Sequence, residues 1–109
     1  MAARKDIINK VQEFTTQLLA SGLPLDRVVL FGSQAKGTAT EDSDVDVALV
    51  SSIFSGFGYE DRKHCSKINI QKQFVEIEIR TFSTKYFEAG DPFISEILKT
   101  GIELYKSKK

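Results

Sequence analysis

Ile7, Ile8, Val11, Phe14, Leu18 and Leu19 recur at the spacing of one helical face, so residues 4–20 are predicted as an amphipathic helix. Ser21-Gly22 stops it, with Pro24 just beyond. Arg27 to Phe31 (RVVLF) is apolar and β-branched and predicts a buried strand ending at Gly32. In residues 45–50, Val45, Val47 and Leu49 alternate with Asp46, Ala48 and Val50, predicting a second strand. A loop, SSIFSGFG, follows, and Tyr59 to Ile70 has a weak helical pattern. From Phe74 to Phe82 (FVEIEIRTF) the alternation is strict. Val75, Ile77 and Ile79 are predicted on a buried face, with Glu76, Glu78 and Arg80 opposite. Asp91-Pro92 opens a helix whose apolar stripe is Phe93, Ile94, Ile97 and Leu98, and Gly101 ends it. Ile102 to Tyr105 adds a short edge strand. The order α-β-β-α-β-α-β predicts an α/β fold: a mixed β-sheet packed with helices.

The chain's 109 residues suit one domain, 1–109, with one core. A hydrophobic fraction of 41% with 28% charged residues argues against disorder. Fifteen basic residues balance fifteen acidic ones, so no general positive field recruits nucleic acid, and such contact is not expected without a partner. The tail Lys106-Ser107-Lys108-Lys109 reads as a frayed, solvated end. No apolar run approaches the roughly 20 residues that span a bilayer, and the start lacks the apolar stretch of a signal peptide. With a single cysteine, Cys65, these features lead to the expectation of a cytoplasmic protein away from membranes.

The chemistry is concentrated in LFGSQAKGTATEDSDVDVAL, residues 30–49. Four carboxylates (Glu41, Asp42, Asp44, Asp46) follow a glycine-serine turn, and crowded like charges cost free energy unless a cation sits among them. The stretch is therefore a solvated acidic loop or a metal site. Residues two apart on a strand share a face at roughly 6.5–7 Å, which lets Asp44 and Asp46 converge on a cation or bridge two. Oxygen donors of this kind suit Mg²⁺. Aspartate is also a poor strand residue, so its place within VDVALV needs a reason. Gly32-Ser33, after a buried strand, permits close approach of backbone N–H groups and a hydroxyl to phosphate oxygens. An EF-hand starting at Asp42 fails, because Val47 and Ile53 stand where glycine and glutamate are required. A P-loop fails because Thr38 replaces its lysine.

Gly32-Ser33, then ten residues, then Asp44-x-Asp46 between apolar residues resembles the nucleotidyltransferase superfamily that includes DNA polymerase β. The chain is most similar to its minimal nucleotidyltransferases. The likeness is dense over Val28 to Val50, continues through VEIEIRTFS and DPFISEILKTGIELY, and is poor over residues 51–74. It implies a nucleotidyltransferase fold, with Gly32 and Ser33 on the β- and γ-phosphates of a nucleoside triphosphate such as ATP. Asp44 and Asp46 would ligate two magnesium ions. The family's third carboxylate lies on a later strand. Glu76 and Glu78 are both offered there, and Glu78 better matches the family's distance from the Thr-Phe-Ser turn. That position is often aspartate in relatives. Many relatives also carry Arg-Ala-Arg-Gly after Gly-Ser, where this chain has Gln34-Ala35-Lys36-Gly37. Lys36 either touches the triphosphate as a point charge or is a solvated lysine.

The implied reaction is attack of an acceptor hydroxyl on the α-phosphorus, with pyrophosphate leaving, under two-metal-ion catalysis at Asp44, Asp46 and Glu78. The resemblance also implies a second class of function: an antitoxin-like module that binds a HEPN-type partner protein with little or no catalysis. Little of the chain is left to build a second substrate surface, so the acceptor is expected to come with a separate polypeptide. Other residues have plainer readings. His64 and Cys65 are expected as a surface histidine beside a half-buried thiol, and Glu41 and Asp42 as solvated loop residues. Phe54, Phe57 and Tyr59 are expected in core or loop packing, and Arg80 either neutralises its strand face or binds substrate.

Overall fold

The computed structural model describes residues 4–40 and 43–108. Helix α1 (Arg4–Ala20) leads into β1 (Leu25–Phe31), the one-turn helix α2 (Ser33–Lys36) and β2 (Val45–Ser51). Two short helices, α3 (Gly58–Arg62) and α4 (Ser66–Asn69), precede β3 (Ile77–Phe82). Helices α5 (Thr84–Ala89) and α6 (Pro92–Thr100) then lead to β4 (Ile102–Lys106). The strands form one mixed sheet in the order β3-β2-β1-β4. β1 runs antiparallel to β2 and to β4, whereas β2 and β3 are parallel. A parallel pair needs a crossover, and α3 and α4 supply it.

Period-two alternation divides the core between the two faces of the sheet. Val28, Leu30, Val45, Val47, Leu49, Ile77 and Ile79 pack on one face with Ile7, Val11, Phe14 and Leu18 of α1. Val29, Phe31, Ala48, Val50 and Phe82 point the other way, onto Phe87 of α5 and Ile94 and Ile97 of α6. Strands covered on both faces read as nearly continuous apolar runs. This is an α/β fold with helices on a mixed sheet, as the hydrophobic pattern predicts.

The pattern misleads at several points. β3 begins at Ile77, not Phe74, so the alternation of 74–76 is not that of a strand: Phe74 is fully buried against Phe14, and Val75 is 68% exposed. Glu76 consequently does not share a strand face with Glu78, and its carboxylate pairs with Lys10 of α1. In α6 only Ile94 and Ile97 are buried; Phe93 and Leu98 are exposed. Cys65 is fully buried, and burial, with the charge of Asp61, pushes its thiol up to about 11, which leaves it unreactive. Lys106 belongs to β4 and the Ser107 amide donates to the Asp26 carbonyl (2.8 Å), so the tail is ordered to that point. Glu41 and Asp42 lie outside the described residues. Among the described residues, no helix is long and apolar enough to cross a membrane.

Candidate active site

The loop between β1 and β2 is shaped by Gly32. Its backbone is left-handed (φ 73°), and a Cβ there would meet Asp46 Oδ2 at 2.3 Å. Glycine is therefore required twice, for the turn and for the approach of Asp46. The chain then makes the single turn of α2: the Lys36 amide donates to the Gly32 carbonyl (3.0 Å) and Thr38 to Ser33 (3.0 Å). Arg4 ties this turn to α1 by donating to the Ala35 carbonyl (2.9 Å). Lys36 lies 3.9 Å from Glu96 of α6, a loose and solvated ion pair.

Gly32→Ala is expected to lower stability by about 1–2 kcal/mol through the left-handed backbone alone. It also drives Asp46 from its position, so divalent-ion affinity, followed by Mn²⁺ titration, is expected to fall more than stability does. A variant that keeps wild-type Mn²⁺ affinity would show that the approach of Asp46 to this loop does not matter.

On the face that carries α5 and α6, register brings the acids together. Asp46 of β2 stands opposite Phe31 of β1 on one side and Glu78 of β3 on the other. Asp44 is two residues before Asp46 and shares a hydrogen bond with Glu78. That bond, the Asp44 charge, partial desolvation and Asp46 raise the Glu78 carboxyl above its ordinary range, while Arg80 opposes the shift. Desolvation and Asp44 likewise raise Asp46, again opposed by Arg80. Carboxyls this close raise one another's pKa, a cost that a cation among them would remove. Among the described residues, no group of three His, Cys, Asp or Glu side chains is arranged to hold a metal ion as it stands. The acidic trio nevertheless fits a hard divalent ion: its donors are all carboxylate oxygens, and their mutual repulsion is what such an ion relieves. Asp44, Asp46 and Glu78 are thus neighbours; Glu76 is not with them.

A cavity of about 1050 Å³ opens beside the acids, with Asp46 and Glu78 in its wall. Its aromatic side includes Phe93, which packs edge-on against Phe31 (5.8 Å between centroids) and carries the Arg80 guanidinium over its ring (5.2 Å). The opposite side is the loop Ser55–Gly58 with Arg62. Asp61, 2% exposed, holds that loop in place. Its carboxylate accepts from the Ser55 amide (2.8 Å), the Ser55 hydroxyl (3.0 Å), the Gly56 amide (2.9 Å) and the Thr81 hydroxyl of β3 (2.8 Å). Burial raises its pKa, but these four bonds outweigh burial and the net shift is downward. Phe54 is core, as expected; Phe57 and Tyr59 are 73% and 77% exposed instead. Sequence reasoning missed Asp61, which lies in the weakly patterned stretch with no motif around it. It also took Phe93 for core, although its place in the first turn after Asp91-Pro92 was a hint of exposure.

The chain matches the family described as polymerase beta, nucleotidyltransferase, over residues 13–109. In fold it is similar to a candidate nucleotidyltransferase from Sulfolobus solfataricus (TM-score 0.71, 18% identity, covering 97% of this chain and 86% of that one). It is also similar to a toxin-antitoxin solved with AMP-PNP (TM-score 0.57, 18% identity, 89% and 74% covered). A mutant of the toxin-antitoxin MntA-HpeT is similar too (TM-score 0.58, 15% identity, 89% and 74% covered). No curated protein sequence matches it significantly. The match over nearly the whole chain and the agreement in fold lead to one conclusion: the chain belongs to the polymerase beta nucleotidyltransferase family, whose minimal, MNT-type members it resembles.

Proposed function

We propose that the protein transfers a nucleoside monophosphate from a nucleoside triphosphate to an acceptor hydroxyl on a partner protein of HEPN type. The observation that carries this reading is the meeting of Asp44, Asp46 and Glu78 beside the Gly32 loop, in a family of nucleotidyltransferases. Asp44, Asp46 and Glu78 would hold magnesium, two ions by analogy with the family. Bound magnesium supplies neutralisation of the attacking and leaving oxygens and acidifies the acceptor hydroxyl. Gly32 and Ser33 offer backbone N–H groups and a hydroxyl to the β- and γ-phosphates, and Lys36 adds a positive charge nearby. The acceptor oxygen bonds to the α-phosphorus, the bond to pyrophosphate breaks, and the hydroxyl proton passes to solvent. The chain's contribution is positioning and fixed charge, with no covalent intermediate. Fold similarity to two toxin-antitoxin structures, one with AMP-PNP, supports an adenine nucleotide as ligand and a protein as partner. It equally supports a second reading, an antitoxin-like module that acts by binding its partner.

The test uses α-labelled triphosphates, magnesium and the protein that co-purifies when neighbouring genes are expressed together. Label is expected on that protein, with little transfer by the isolated chain. Glu78→Gln is expected to slow transfer by about a hundredfold or more. Glu76→Gln, which removes only an exposed ion pair, is expected to stay within about threefold. Stable association without label in any condition would favour the binding module. Rapid transfer to free alcohols or generic RNA by the isolated chain would defeat the dependence on a partner.

A further inference from the structure

The cavity is electrostatically divided. Across the sheet lie, in order, the Gly32 loop after β1, Asp44 and Asp46 at β2, and Glu78 with Arg80 on β3. Beyond β3, α3 and the Ser55–Gly58 loop complete the wall. A triphosphate held at the first end leaves this far end open, and about 1050 Å³ is at the upper limit of small-molecule sites. Arg62 lines the far end with its guanidinium against Gly58, and among the described residues no carboxylate pairs with it. Phe57, Tyr59 and Ile53 are exposed on the same segment. Solvent-facing aromatics beside an arginine with no carboxylate partner among the described residues have the composition of a protein-binding hot spot. The segment is also held rigid, because Asp61 fixes Ser55 and Gly56 to Thr81, so little ordering cost would fall on binding.

We propose that Phe57, Tyr59 and Arg62 form a docking surface for an acidic segment of a second polypeptide, which brings its acceptor hydroxyl toward the carboxylates. The inference rests on the transferase reading for the direction of delivery, but not for the docking itself. Asp46 and Glu78 repel an acidic segment from the first end, whereas Arg62 attracts it at the far end, where Glu60 is taken up by Lys63 and the Asp61 carboxylate by its four hydrogen bonds. A nucleic acid is the poorer fit. The chain's net charge is zero, and Lys63, the next cation, is already engaged by Glu60 and the Tyr59 ring.

The experiment measures fluorescence anisotropy of a short labelled peptide of Asp, Glu, Ser and Tyr, without metal or nucleotide. A peptide with Lys in place of the acids and an oligo-dT of similar length serve as comparators. The acidic peptide is expected to bind best and to weaken as salt rises. Arg62→Glu and Phe57→Ala are each expected to cost at least tenfold, Arg62→Lys less than Arg62→Glu, and Lys99→Ala on α6 nothing. All three sites are on the surface, and a thermal melt confirms folding. Stronger binding of the oligonucleotide, no preference for the acidic peptide, or equal binding by Arg62→Glu would overturn the proposal. Nucleotide binding by the wild-type protein, measured separately with Mn²⁺ and ATP, reports on the transferase reading. Either idea can therefore fail while the other stands.

Discussion

An Asp44→Asn/Asp46→Asn variant is expected to lose nucleotide transfer by at least about a thousandfold, roughly 4 kcal/mol of transition-state stabilisation. The loss should come with loss of Mn²⁺ binding measured directly in the presence of nucleotide. Each asparagine keeps the shape of the side chain but withdraws one anionic donor, so the fold is not the casualty. Without metal the variant is expected to be at least as stable as the wild type at neutral pH. Asp46 has a raised carboxyl in the folded protein, which means its charged form is disfavoured there. Its contribution is therefore most favourable at low pH and is lost as pH rises through the carboxylate range. Removing that charge removes the penalty. Added Mn²⁺ should then raise the melting temperature of the wild type and leave the variant unmoved. Equal metal affinity in the two proteins would show that these aspartates are not ligands.

What the sequence discloses here follows from how local each signal is. Strands β1 and β2 are covered on both faces, and their apolar runs locate them to within two residues. Asp46 announces itself because a charged residue inside such a run is anomalous, and the Gly32 turn announces itself by its composition. The start of β3 is less legible. Alternation over Phe74–Glu76 imitates a strand, but Phe74 is buried against Phe14, with no strand there. That difference separates Glu76, drawn away to Lys10, from Glu78, paired in register with Asp46. Periodicity cannot see a partner 66 residues away. The segment from residue 51 to 74 is the least legible. Its helices are five and four residues long, too short for a periodic pattern, and its key residue is held by bonds to Ser55, Gly56 and Thr81. For the same reason the sequence does not disclose that Ser55–Gly58 and Arg62 of this segment line a large cavity.

Asp61 is therefore the residue at which an unremarkable letter has a large expected effect. Asp61→Ala removes the acceptor of four hydrogen bonds and leaves two backbone amides and two hydroxyls to find new partners. Buried or half-buried donors stripped of a partner cost about 1–3 kcal/mol each, and water reaches some of them, so a total loss of about 2–4 kcal/mol is expected. Asp61→Asn should cost less, about 1–2 kcal/mol, because its carbonyl keeps part of the set while its amide faces donors. The charge itself has a pH signature. The folded-state pKa of Asp61 is depressed below the ordinary value of 3.8, so the wild-type protein gains stability from it above that value. The gain is lost as pH falls through the depressed folded value, and Asp61→Asn should lack this part of the acid loss. Denaturant melts of the three proteins at pH 7 and at steps below 4 test both statements. The same clamp sets the far wall of the cavity, so binding of the acidic peptide should weaken in Asp61→Asn at temperatures where that variant is still fully folded. If Asp61→Ala melts like the wild type at neutral pH, the four bonds do not fix the Ser55–Gly58 loop.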